Sequence, residues 1–388
     1  MAPKAPLWIC LVSIFLQLVS VFYVKIKHMS IILFLIILLV LVFVHEFGHF
    51  ITAKWAGMRV DEFAFGFPPK IFSKKIGETE YSLNALPLGG YVSIYGEDDD
   101  GTKTNPRAFG NRPWYAQVIV LFAGVFMNML LAYFVFVFIF YGKLDVAVDD
   151  VDFLNRPKTD ERTVITDVDQ KSPAYMAGLK PGDQIIEVKS LNKIANLKKA
   201  ADVVSFIHSH IDNPVTITYK NNSGVTEDAT LAGVYGIIEN QKALGISVER
   251  VGVVQTTFIE SIRLGFIRTV DITKQTLVGL KDLIVHLFEG KKVIDTLSGP
   301  VGIARMVGQA SAFGLSALLS FIATLSINLA IFNLLPIPAL DGGRIVMVLF
   351  ETIFRRKINT KIFSWINIAS FALLILLMIV VTIKDVTN

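Results

Sequence analysis

The chain has 388 residues, of which 53% are hydrophobic and 18% charged, and its mean hydropathy is +0.56. Soluble domains carry about 25% charged residues, so an ordinary cytosolic enzyme is disfavoured, and a formal net charge of +4 with scattered Lys and Arg argues against nucleic acid as a partner. A single cysteine, Cys10, excludes an internal disulfide and a cysteine-based metal cluster, so any metal must rest on His, Asp or Glu.

The first apolar segment, residues 7–24, stands ahead of Lys25, Lys27 and His28. Two readings stay open for residues 1–28: an upstream extension with Met29 as the true start, or a signal or extra anchor helix. Longer apolar segments follow at residues 30–51, 117–141, 315–335 and 363–383, each matching the roughly 20 residues that a helix needs to cross a bilayer core. Lys54, Arg59, Lys70, Lys74, Lys75, Lys103, Arg107 and Arg112 follow the first of these, and Arg344, Arg355, Arg356, Lys357 and Lys361 follow the third. Both loops are therefore expected on the cytoplasmic side, and residues 142–314 outside. The predicted class is a polytopic α-helical membrane protein with four core spans and an inserted extracytoplasmic α+β domain. Its parts are residues 1–28, 29–141 with the first two core spans, 142–252 as the inserted domain, 253–314 as a linker and 315–388 with the last two spans.

Within residues 60–95, Phe63, Phe65, Phe67, Phe72, Tyr81, Leu83 and Leu88 are interleaved with Gly66, Gly77, Gly89 and Gly90. Alternation broken by glycine turns predicts a β-hairpin or a hairpin pair, and its apolarity places it at the membrane face. In the outer region, residues 164–168 and 184–188 alternate as strands, Ser172 is an N-cap with Pro173 at the first helical position, and Gly178 is a C-cap. A helix at about 197–211 and strands at 215–219 and 244–248 complete the module. Ser-Pro-Ala-x-x-Ala-Gly-Leu-x-x-Gly-Asp at 172–183 resembles a PDZ domain. Residues 258–288 carry apolar positions at helical spacing and are expected to lie along the membrane surface.

The sharpest chemical signal is His45-Glu46-Phe47-Gly48-His49. Residues four apart share a helix face, so both imidazoles can ligate one metal, and Glu46 can take the proton of a water that the metal activates. Residues 31–44 are wholly apolar, which puts His45 about 22 Å along a span whose core is about 30 Å thick. Ionisable groups at that depth are functional by default. Asp341, in Asn333-Leu-Leu-Pro336-Ile-Pro338-Ala-Leu-Asp341-Gly342-Gly343, is the predicted third ligand, because the first and third spans run in the same direction and end on the same side. Asp98-Asp99-Asp100 reads as a solvated turn and His208-Ser209-His210 as an exposed helix end.

The intramembrane HExxH, NxxPxPxLDGG, a PDZ-like module between them, Pro87-Leu88-Gly89-Gly90-Tyr91-Val92 and Ser298-Gly299-Pro300-Val301-Gly302 together resemble the site-2 protease family, in its bacterial regulator-of-sigma-E protease branch. Val125 departs from the family's proline after Ala123-Gly124, although Asn128 is kept, and one PDZ-like module stands where enterobacterial members have two. The resemblance implies a zinc metalloendopeptidase of the bacterial inner membrane, with Zn²⁺ on His45, His49 and Asp341 and Glu46 as the base. It further implies substrate held by Asn333, Gly89 and Gly90, the β-region adding a strand to the unwound peptide. Expected partners are membrane lipid and single-pass membrane proteins, anti-sigma factors or remnant signal peptides, already trimmed by a site-1 protease. For Asn128 interhelical hydrogen bonding is the favoured role. Two alternatives compete: an inactive PDZ membrane scaffold, and a membrane HExxH peptidase for prenylated tails with Glu351 as third ligand.

Overall fold

The uninterrupted apolar run after Met29 folds as one helix, α1 (His28–Trp55), ended by the turn at Ala56–Gly57. The computed structural model describes residues 28–97, 105–147, 158–169, 171–221, 223–238, 241–290, 297–356 and 360–387. The N-terminal apolar segment with its two readings, Cys10 and the Asp98–Asp100 run lie outside the described residues.

Strands β1 (Val60–Ile76) and β2 (Thr79–Ile94) follow α1. Both are bent, and their register is doubled: Phe63 faces Val92 on one side and Tyr81 on the other, while Tyr81 also faces Lys74. The predicted hairpin pair thus becomes a sheet of four short runs, in the order 70–76, 79–83, 60–65, 90–94. Among the described residues, no strand pairs with the outer edge of 90–94. The sheet sits on α1 through rings about two helical turns apart, with Phe43 stacked on Phe65 at 4.4 Å and Phe50 against Phe63 at 5.0 Å. Its turn is clamped by Glu78, which accepts from Lys54 Nζ at 2.8 Å and from both Arg107 guanidinium nitrogens at 2.7 Å.

Helix α2 (Trp114–Tyr141) returns the chain. An α+β module then comprises β3 (Asp145–Ala147), β4 (Lys158–Val168), α3 (Pro173–Met176), β5 (Gln184–Ser190), β6 (Lys193–Ile194), α4 (Ala200–Ser209), β7 (Val215–Lys220), β8 (Thr226–Leu231), β9 (Val234–Ile238), β10 (Gln241–Ala243) and β11 (Ile246–Val254). Its main sheet runs β3-β11-β4-β5-β7-β8, with β6 beside β5. Ile165, Leu179, Ile185, Val188, Val203, Val215 and Ile217 form its core. Ser172 caps α3 as predicted, its Oγ accepting from Tyr175 N at 3.2 Å. Strands β3, β6 and β8 to β10 are absent from the sequence-based expectation; for β8, Thr-Glu-Asp-Ala-Thr-Leu at 226–231 has too little apolar alternation to announce a strand.

The remaining elements are α5 (Phe258–Phe288), α6 (Pro300–Ala312), α7 (Leu315–Asn333), α8 (Asp341–Phe354) and α9 (Thr360–Thr387). Four helices are long and apolar enough to cross a membrane, at Ser30–Trp55, Trp114–Tyr141, Leu315–Asn333 and Ser364–Thr387, matching the four predicted core spans. Helix α8 was expected as loop; its 14 residues are too short to span and mix Arg344 and Glu351 with an apolar stripe. The described residues form two compact units: those up to Ala132 with those within Thr269–Gly308 and Thr324–Asn388, and those within Tyr133–Arg268 with Gln309–Ala323.

In the first unit, Asp385 near the end of α9 is buried, and its Oδ2 accepts from the backbone of Gly299 and Gly302, each at 2.8 Å. Asp385→Ala strands two buried donors, each costing about 1–3 kcal/mol, so the apparent Tm in detergent falls by several degrees in a thermal scan. Glu78, half-buried and held by two cations, has its carboxyl pushed down to about 2. A lowered folded-state pKa stabilises above the ordinary carboxylate range and is lost as pH falls toward 2. Glu78→Gln is therefore expected to flatten acid destabilisation of the β1–β2 region, read by hydrogen exchange at pH 3 and pH 6, with the effect small because solvent still reaches the pair.

Candidate metal centre

One face of α1 carries Phe43 and Phe50 against the sheet, with Phe47 between them; His45 and His49, about 200° and 240° around from Phe43, face the other way. Glu46 falls on the strip between the two faces. Helix α2 passes the histidine face at very short range. A Cβ on Gly48 would lie 2.5 Å from the Ala123 carbonyl oxygen, and one on Gly124 would lie 2.5 Å from His49 Nε2 and 2.8 Å from His45 Nε2. Small residues let membrane helices approach in this way, and here they bring the α2 backbone onto the imidazoles.

The third donor depends on a broken chain. Helix α7 stops at Asn333 because Pro336 and Pro338 cannot continue it. Tight turns follow, with Ile337 N donating to Leu335 O at 2.7 Å and Leu340 N to Ile337 O at 2.9 Å. Gly342 and Gly343 press so closely on the carbonyls of Leu334, Leu335 and Ile337 that no Cβ fits. Asp341 thereby opens α8, where unpaired N–H groups and the helix dipole favour a carboxylate.

These elements bring His45, His49 and Asp341 together. His45 Nε2 is 3.0 Å from Asp341 Oδ2, His49 Nε2 is 3.3 Å from the same oxygen, and the two Nε2 atoms are 3.2 Å apart. A tetrahedral zinc with bonds of about 2.0–2.1 Å has ligand atoms about 3.3 Å apart, so the triangle fits zinc and leaves the fourth vertex open. The histidines are 6% and 8% exposed. This is the one such group of three or more donors among the described residues. Glu351, His208, His210 and His286 are outside it.

Around the triangle, His49 Nδ1 donates to the Val120 carbonyl at 2.8 Å, which leaves Nε2 free to ligate. Asn128, fully buried, stands 3.3 Å from His45 Nδ1, and Asn333 Nδ2 is 3.5 Å from His45 Nε2. Gly90 pairs with Phe65, and a Cβ there would meet the Ala64 carbonyl at 2.7 Å and Glu46 Cγ at 3.8 Å. Gly89 lies beside Phe67 and Val42. The unpaired sheet edge therefore passes Glu46. Val120, Gly124 and Gly48 were not foreseen as parts of the site. The available signal was spacing: 120, 124 and 128 form an i, i+4, i+8 stripe on α2, and Gly48 lies inside HExxH.

Comparison with known proteins gives the same direction. The model of peptidase family M50 matches residues 33–377. The chain belongs to peptidase family M50. A Clostridium perfringens protein named zinc metalloprotease is 35% identical, covering 89% of this chain and 95% of the relative. The regulator of sigma-W protease RasP of Bacillus subtilis is 30% identical, covering 92% and 98%. A Helicobacter pylori protein named zinc metalloprotease is 31% identical, covering 90% and 96%. Family membership together with the two-histidine, one-carboxylate donor set makes this a membrane-embedded zinc metallopeptidase of the site-2 type.

Gly124→Ala places a methyl group within contact of both Nε2 atoms. Zinc affinity measured by chelator competition is expected to fall at least about tenfold, with helix content by circular dichroism unchanged.

Proposed function

We propose that this M50 peptidase hydrolyses peptide bonds inside transmembrane segments of single-pass membrane proteins. The observation that carries the reading is the donor triangle itself, with His45 and His49 buried on an apolar membrane-length helix and Asp341 brought to them at the start of α8. His45, His49 and Asp341 would hold Zn²⁺, which when bound lowers the pKa of water and polarises a carbonyl. Glu46, beside the triangle and the sheet edge, takes the proton of the attacking water and passes it to the leaving amine. The turns at Leu334–Leu340 line a route for water, since irregular backbone at membrane depth is tolerated where it borders a cavity.

A helical substrate has its carbonyls hydrogen-bonded, so the scissile stretch must be extended. The edge at residues 90–94 offers backbone groups for strand addition, with Gly90 beside Glu46, Gly89 next to it beside Phe67 and Val42, and Asn333 offering an amide to the substrate backbone. The Ser172–Asp183 motif and the capped α3 support a single PDZ-like module that screens substrate ends on the outer face, in the manner of the regulator-of-sigma-E protease branch. The Lys/Arg bias supports an active site towards the cytoplasm of a bacterial inner membrane. Substrates of this kind are anti-sigma factors or remnant signal peptides trimmed beforehand by another protease. An inactive scaffold is disfavoured because all three donors and Glu46 are intact and assembled.

The test is cleavage of a model transmembrane substrate by purified protein in detergent. Glu46→Gln is expected to keep zinc and lose about 10²–10⁴-fold in rate. Equal rates for both proteins would remove Glu46 from its role, and a zinc-loaded wild type inert towards a panel of transmembrane substrates would favour the scaffold.

A further inference from the structure

Zinc on Nε2 of an imidazole leaves the remaining proton on Nδ1, and a buried Nδ1–H needs an acceptor. For His49 that acceptor is the Val120 carbonyl. For His45 the group at hand is the Asn128 amide, whose nitrogen stands 3.3 Å from Nδ1. Two nitrogen donors cannot satisfy one another. The amide oxygen, meanwhile, is buried without a hydrogen-bond partner among the described residues. An amide has nearly the same shape either way round, and turning it about Cβ–Cγ brings the oxygen to the imidazole without repacking.

Asn128 is also fixed in place by its backbone. Its carbonyl accepts from Ser326 Oγ on α7 at 2.8 Å, and both residues are fully buried. A serine of one span thus pins the backbone of a second span at the residue that touches a donor on a third. Interhelical hydrogen bonding, the favoured role from sequence, holds for this residue's backbone, but its side chain is turned to the metal site.

We propose that Asn128 is a positioning residue for the metal centre: its amide oxygen accepts the Nδ1 proton of His45 and so holds the ring with Nε2 aimed at the metal. The inference rests on the zinc reading of the triad. Asn128→Ala removes the acceptor; Asn128→Asp keeps an oxygen in the same place and strengthens it, as carboxylates do for zinc-bound histidines. The experiment is zinc competition against a chelator on purified full-length protein, with the absorption spectrum of the cobalt(II)-substituted protein as a second readout of ligand geometry.

The expected result is a 10–100-fold loss of zinc affinity and an altered cobalt band for Asn128→Ala, with both near wild type for Asn128→Asp. Wild-type affinity in Asn128→Ala overturns the proposal. Equal loss in both variants also overturns it, since a merely packed amide would be sensitive to either change. Wild-type protein that binds no stoichiometric zinc would instead bring down the zinc reading, and this inference with it.

Discussion

Everything in the first unit turns on bringing three ionisable side chains to one point inside an apolar helix bundle. A charged residue at mid-span costs about 2.5–3.5 kcal/mol even on insertion scales, so such groups persist only where they meet partners. The 3.0–3.3 Å triangle is that meeting, and the surrounding packing is arranged around it. Glycine on α1 and α2 sets the helix separation. Prolines stop α7 so that Asp341 can open α8, and paired glycines let the turn fold flat against its own carbonyls.

The site was legible where local chemistry and spacing are the same thing. His45 and His49 share a helix face because four residues make roughly one turn, and Asp341 could be placed because two parallel spans must end on one side. The spans were legible because a bilayer demands a length of apolar chain that few other environments do. What escaped were features set by tertiary approach. Gly124 has no chemistry of its own, and its importance lies in what another helix presents to it. Asn128 could be read as glue between helices, and only its 3.3 Å approach to His45 Nδ1 points beyond that role.

The same limit explains the β region. Alternation and glycine turns announced hairpins, but a periodicity of two says nothing about a strand that bends and pairs on both sides. The doubled register of Phe63 and Tyr81 is a product of the bends near Gly66 and Gly89. The α1 rings then fix the sheet so that one edge stays open at Glu46. In the α+β module, the cap and core strands were visible, whereas polar strands such as β8 acquire their identity from the neighbours they complete.

The shortness of that open edge has a consequence for choice of target. Five extended residues cover about 17 Å, and the same five in a helix make less than one and a half turns. A guest chain laid along residues 90–94 would give up a handful of its internal hydrogen bonds, with helix persisting on either side. The demand would then fall on one weak point in the guest rather than on its general composition. Under the proposed strand addition, a glycine, an asparagine or a proline at that point would count for more than any matching sequence.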